Sequence, residues 1–482
     1  MSSVSQYPVS LDQPLGTGTP GVGRDAGGDC LDTGGPLHGA VETLLGRIKN
    51  WSFRSDHLLH LSVPVPRTNP FRWLQAAPAG ERSLWQNREG DESIAGIGIA
   101  AALSAREATA YPALLRRIHD ILDGQATAFI GGFSFDGQAG KDDWEGFPAA
   151  RFVLPAVELR RQGGQCRLGV NLLADSRRDF MTRKTRLIAA LCRLRQTPAD
   201  GLPRASVRIT RRVDHMDFDT CSRHIGNILN HIAQGPIRKV VLARRVDLQL
   251  NESPPAFLTL ERWHRSNPGS FCFAIENGER LFMGCSPERL FSRSGRHVFT
   301  ESLAGTVRRG GTAQEDAALE RVLLQDPKLI HEHELVTRYV REQIAPWITQ
   351  IEGPAQAQAG VFKLDRIQHR YLPIHATLRE DVRDEQLLAA LHPTPAVCGF
   401  PRGEARDLIS RQETARRGWY SGVIGRICPQ RSEFAVAIRS TLLHRNQALC
   451  YSGVGIVEGS DPAAEWNELE AKIESFLAVL ES

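Results

Sequence analysis

The segment from Leu281 to Gly311, LFMGCSPERLFSRSGRHVFTESLAGTVRRGG, carries an acid where chemistry is easiest to control. Glu288 lies in a proline-containing turn directly after an apolar run, and a turn anchored on a sheet holds its side chain in place. A second turn, Glu301-Ser302-Leu303-Ala304-Gly305-Thr306, follows the next apolar run and leads into Arg308 and Arg309. Lys239, which opens the run KVVLARR, is a candidate partner. Such a lysine is ordinarily an edge residue with its stem along apolar surface. Buried beside other cations, it would shed its proton near neutral pH and serve as a base. Arg439, inside FAVAIRSTLL, is out of phase with a surface residue, and an arginine there suits a carboxylate gripped by two parallel hydrogen bonds. Gly453 and Gly455 in YSGVGIV leave room for a ligand against the backbone, as they equally would for a bulge.

Further carboxylates fall on helical patterns. In His331-Glu332-His333-Glu334 the apolar neighbours Leu335, Val336, Tyr339 and Val340 turn Glu332 toward the core and leave Glu334 on the wet side. An inward carboxylate needs a partner; a metal ion and a buried arginine fit the pattern equally. His-Glu-His lacks the spacing of the zinc protease signature. Glu465 and Glu468 share one face near the start of the last helix, where complementing the helix dipole is the plainer account. Were the two carboxylate sites to converge, they would suit Mg²⁺.

These residues need a rigid frame, and the pattern supplies one. Short apolar runs bounded by Gly and Pro read as strands, among them 94–102, 128–135, 149–159 and 166–173, the last two forming a hairpin about Gly163-Gly164. FCFAIE and ERLFMGC form a hairpin about Asn277-Gly278, a type I′ signature. Strands are also expected over 239–245, 422–428, 433–443 and 448–457. Helical spacing covers 176–197, 214–235, 255–266, 314–346, 385–390, 404–417 and 462–480. Antiparallel hairpins with helices between them indicate an α+β domain built on large sheets. Residues 1–38, rich in Gly, Pro, Ser, Thr and Asp, read as a disordered tail. One domain then spans 39–482, with an N-terminal part to 213 and a motif-rich part from 214.

Of the 482 residues, 41% are hydrophobic and 24% charged, an ordinary balance for a soluble enzyme. The formal charge is only +4, and the arginine pairs are short and dispersed, so no nucleic-acid partner is expected. Nine cysteines without a Cys-x-x-Cys pair suggest reduced thiols. With no leader-like start and no membrane-length apolar run, the chain reads as cytoplasmic, with no membrane partner. No glycine-rich phosphate loop follows a strand, which leaves nucleotide binding without support.

Together, KVVLARR, GCSPERLF, ESLAGTVRRGG, HEHELV, IQH, LHPTPAVCGFP, AIRST and GVGIVEGSDPAAEWNELEAK, in that order, resemble the chorismate-utilising enzymes. FIGGFSFD and WEGFPAARFVLP upstream are similar to isochorismate synthases of menaquinone or siderophore pathways. The resemblance implies two stacked antiparallel sheets with helices outside, a cleft between them, and a Mg²⁺-dependent enzyme acting on chorismate. It implies Glu332 and Glu465, assisted by Glu468, as Mg²⁺ ligands. For the substrate it implies Ala304, Gly305, Thr306, His369, Ala396, Gly399, Tyr420, Arg439, Gly453, Gly455 and Lys472. His369 would line the ring site, while Arg439 and backbone near Gly453 would hold the carboxylate that the metal does not.

Lys239 occupies the position where members that add water carry lysine, and Ala304 the position where aminodeoxychorismate synthases carry a nucleophilic lysine. An isochorismate synthase is therefore expected, as a monomer or homodimer. Lys239 would act as general base and Glu288 as general acid, which requires a neutral amine and a protonated carboxyl near pH 7. Salicylate synthase is the nearest alternative, and a non-catalytic chorismate-binding protein the next. Arg370, Leu372 and Ala376 depart from the usual pattern beside His369.

Overall fold

The computed structural model describes residues 37–480, apart from 55–56, 141, 197–205, 353–358 and 364–366. The expected tail thus lies outside the described residues, except that Leu37 and His38 open a helix and Leu37 is buried. Twenty strands are described. They are β1 Leu59–Val65, β2 Arg82–Gln86, β3 Glu92–Ala105, β4 Phe129–Phe133, β5 Ala150–Gln162, β6 Gln165–Leu172, β7 Ile209–Asp214, β8 Lys239–Leu250, β9 Phe271–Asn277 and β10 Arg280–Ser286. The remainder are β11 Arg289–Ser294, β12 His297–Arg308, β13 Ile348–Glu352, β14 Gly360–Lys363, β15 Ile367–Leu378, β16 Gly399–Phe400, β17 Val423–Ile427, β18 Arg431–Val436, β19 Ser440–His444 and β20 Gln447–Val457.

Every strand pair is antiparallel. One ladder runs β1, β6, β5, β3, β2, β9, β10, β19, β20, β8. The other runs β4, β17, β18, β11, β12, β15. The expected two sheets are joined, because β5 pairs with β4 through Ala150–Val153 and with β6 through Val157–Gln162.

Alternation along each strand explains the layers. One set of side chains, including Phe273, Phe282 and Leu442 from the first ladder and Ile130, Ile424 and Ala435 from the second, meets between the ladders. The opposite faces take the helices. Phe257, Leu260, Ile473 and Phe476 cover the first ladder, and Leu115, Val336, Val340 and Leu391 the second. Among the described residues no helix is long and apolar enough to cross a membrane.

Several expected elements shift for identifiable reasons. The helix over 314–346 is two, Ala313–Gln325 and Pro327–Ile344, because Pro327 ends one and Asp326 caps the next through the Leu329 N–H. The helix expected over 214–235 begins at Phe218, since residues 209–214 form β7. In the β9–β10 hairpin the central residues are Gly278 and Glu279. Only Gly278 has positive φ, +61°, which is the II′ arrangement. The strand expected over 433–443 is broken between β18 and β19. Arg439 occupies the break with φ +47°.

Candidate active site

The broken strand, the turn after β10 and the start of β8 surround a cavity of about 110 Å³. Lys239, Glu288, Ala304, Gly305, Thr306, Glu332, His369, Ala396, Tyr420, Arg439, Gly453, Gly455, Glu468 and Lys472 line it. Gly399 and Glu465 do not. Gly399 sits in β16 against β8, and a Cβ on it would stand 2.3 Å from the Lys239 carbonyl oxygen. It therefore lets the chain pass behind Lys239. Glu465 is buried beside the cavity and accepts from Lys328 Nζ at 3.0 Å.

Lys239 is no edge lysine. It is 1% exposed, because β20 and β16 flank its strand, and its Nζ donates to Glu332 Oε1 at 2.8 Å. Glu332 faces inward from the helix Pro327–Ile344, as its apolar neighbours predict. Gly455 makes the pair fit: a Cβ there would lie 2.8 Å from Lys239 Cε and 3.0 Å from Glu332 Oε1. Close approach thus explains this glycine. Lys472 Nζ donates to the Gly453 carbonyl and to Glu468 Oε1, both at 2.7 Å.

Glu288 follows Pro287 beyond β10. The Ser286 hydroxyl accepts from its N–H at 3.2 Å, and its carbonyl accepts from Val436 at 3.0 Å, which pins the turn to β18. The side chain is 7% exposed. Burial pushes its carboxyl up to about 8, the Glu301 carboxylate adding to the rise and Lys239, Thr394 and Lys472 opposing it. Glu288 accordingly keeps its proton at neutral pH. Thr394 and Glu301 did not emerge from the sequence as site residues. Glu301 reads there as a turn residue, and only the fold brings it near Glu288, where Arg88 grips it at 2.6 and 2.7 Å.

His369 and Arg439 also line the cavity. A bulge between Ala304 and Thr306, with Gly305 at φ +77°, interrupts the pairing of β12 with β15. Thr306 Oγ1 lies 2.9 Å from His369 Nδ1, while His369 Nε2 is buried without a hydrogen-bond partner. Burial, with Arg439 and Lys472 nearby, brings the imidazole down to about 3, so it is neutral at pH 7. A polar atom left unpartnered in that buried wall marks a place for a polar ligand. Burial lowers the Arg439 guanidinium to about 10, which leaves it charged. Arg370, a departure from the expected pattern, turns away and donates to the Leu323 and Leu324 carbonyls at the end of the helix Ala313–Gln325.

The carboxylates Glu332, Glu465 and Glu468 are hard oxygen donors of the kind Mg²⁺ takes. Each is neutralised by its own lysine: Lys239, Lys328 and Lys472 respectively. Burial raises Glu465 above the usual carboxylate range. Burial also pushes Glu468 up, but Lys472, helped by Lys328 and Lys239, brings it net below that range. The donor chemistry fits the ion, with lysine ammonium groups occupying the positive positions in this arrangement.

Comparison with known proteins agrees with this geometry. Residues 45–481 match the sequence profile of the chorismate binding enzymes. The salicylate biosynthesis isochorismate synthase of Pseudomonas aeruginosa is 34% identical over 358 residues, 74% of each chain. The isochorismate synthase MenF of Escherichia coli is 30% identical over 450 residues, covering 92% of this chain and 98% of that one. The solved structure of the menaquinone-specific E. coli enzyme superposes with a TM-score of 0.83 at 28% identity, covering 93% of this chain and all of that one. Anthranilate synthase component I of Streptococcus pneumoniae shares the fold, with a TM-score of 0.59 at 20% identity. The chain, with its cavity between joined antiparallel ladders, belongs to the chorismate binding enzymes.

Proposed function

We propose that this protein is an isochorismate synthase, an isomerase that adds water at ring C2 of chorismate and expels the C4 hydroxyl. The observation that carries the reading is a buried, protonated carboxyl, Glu288, sharing one cavity with a buried amine, Lys239, while residue 304 offers no nucleophile. Lys239 takes a proton from water as its oxygen bonds to C2. The ring double bonds shift, the C4–O bond breaks, and Glu288 gives its proton to the departing hydroxyl. One water enters and one leaves, so the product is an isomer of the substrate.

Arg439 grips one substrate carboxylate with its planar fork. Neutral His369 offers its ring edge without adding charge. Glu332, Glu465 and Glu468 would hold Mg²⁺, which when bound supplies positive charge for the other carboxylate. With Glu332 among the residues that would hold Mg²⁺, Lys239 would be freed of its 2.8 Å contact with that carboxylate. The coverage by the menaquinone-specific relative supports menaquinone formation as the use of the product.

The test is chorismate with Mg²⁺, products separated by chromatography, before and after chelation. Isochorismate that forms only with the metal present is the expected result. Salicylate from chorismate alone would replace this reading with that of a salicylate synthase, and absence of turnover with that of a binding protein.

A further inference from the structure

On the helix-facing side of the first ladder, away from the inter-ladder core, Cys272 of β9 and Cys285 of β10 stand directly opposite each other. Both are fully buried. Above them lies His264, near the end of the helix Ala256–Arg265. One nitrogen of His264 and the two sulfurs lie within 4.8 Å of one another, the only such His, Cys, Asp or Glu group among the described residues. The proposed catalytic reaction uses none of the three.

The histidine is already oriented. Its Nε2 lies 2.7 Å from the Gln86 side-chain nitrogen Nε2, and its ring stacks on Phe71 with centroids 6.2 Å apart. Its Nδ1 is buried with no hydrogen-bond partner. Exchanging the nitrogen and oxygen of the Gln86 amide, which have the same shape, would let His264 Nε2–H donate and leave Nδ1 a bare lone pair. That is how histidine ligands are held by an outer partner. A tetrahedral Zn²⁺ with two thiolates and one imidazole puts its donors about 3.6 to 3.8 Å apart, from the usual bond lengths. The triad needs to contract by roughly 1 Å at most to reach that spacing.

We propose that His264, Cys272 and Cys285 form a binding site for a borderline-soft divalent cation of the Zn²⁺ class, separate from the carboxylate site. Two sulfurs and a nitrogen select against Mg²⁺, so the two sites sort their metals by ligand chemistry. Cys285 lies three residues before Glu288, and its N–H donates to the Arg439 carbonyl at 3.0 Å. Filling the site would tie the helix Ala256–Arg265 to the strand that leads into the catalytic turn.

The test uses the reduced full chain with excess Mg²⁺ to fill the carboxylate site, titrated with Co²⁺. A thiolate-to-cobalt charge-transfer band saturating at one equivalent is expected, since carboxylates give no such band. It should weaken in Cys272→Ser and in Cys285→Ser, vanish in the double variant, and persist in Cys221→Ser, whose cysteine is buried elsewhere. Gln86→Ala leaves all three donors in place and should weaken Co²⁺ binding about 10- to 100-fold, which keeps the idea testable if a serine variant misfolds. No band, a band unchanged in the double serine variant, or a Cys272–Cys285 disulfide in the reduced preparation would overturn the proposal.

Discussion

Replacing Glu288 with glutamine removes the group on which the proposed proton transfer depends, and the structure says what else should change. The carboxyl has a value near 8 in the folded chain against an ordinary 4.5. The folded protein therefore retains a proton that the unfolded chain releases. Between pH 5 and pH 8 stability should fall with rising pH, and three units at about 1.36 kcal/mol each amount to roughly 4 kcal/mol. Below pH 4.5 the contribution is fully present; above about 8 it is gone. Glu288→Gln has no such group. Urea unfolding of both proteins at several pH values should therefore show wild type losing about 4 kcal/mol relative to the variant across that window. Isochorismate formation by the variant should drop about 10²- to 10⁴-fold, the usual range for a general acid. In wild type, kcat should decline as pH rises through the same region. Parallel stability curves for the two proteins would refute the perturbed carboxyl, and near-normal turnover by the variant would refute its role.

Gly455→Ala should fold, yet its Cβ would intrude on Lys239 and Glu332, at 2.8 and 3.0 Å; turnover should fall about 100-fold, with circular dichroism unchanged. Arg439→Lys keeps the charge but not the fork, so KM for chorismate should rise about 10- to 100-fold, the worth of one charge-assisted hydrogen bond. Asp384 is fully buried, accepting from Arg293 at 2.5 and 3.1 Å and from Ser432 at 2.7 Å. Asp384→Asn should cost about 3 to 5 kcal/mol in urea unfolding by leaving Arg293 without its anion. Arg293 and His119 overcome the burial of Asp384 and hold its carboxyl below the usual range, so the wild-type advantage should shrink as pH falls through that lowered value.

Much of this was legible because local chemistry and fold agree. The helix Pro462–Leu480 begins where its sequence indicates, with Asp461 accepting from the Ala464 N–H. Glu332 points inward because its apolar neighbours leave it no other direction. Arg439 was legible as an unusual residue but not as a break. FAVAIRSTLL has an unbroken strand composition, and the interruption arises where the Arg439 carbonyl meets β10. Gly284 permits that contact, since a Cβ there would stand 2.6 Å from the Arg439 oxygen. Gly399, a glycine within a matching motif, is required by the backbone beside Lys239, which no local pattern announces. Glu301 and Lys328 act at long range in sequence, and no local pattern ties them to Glu288 or Glu465.

Because β5 belongs to both ladders, the molecule has no seam. As the chain leaves the ribosome, β2 and β4 emerge early, but β9 and β17, which complete their pairing, come only at residues 271–277 and 423–427. Until then each shows a row of unpaired amides and an apolar face, the kind of edge that recruits other chains. Production of the N-terminal part alone, to residue 213, should therefore yield insoluble material, and coexpression with residues 214–482 should rescue it. The vulnerable moment for this protein lies in its synthesis, before the last strands arrive.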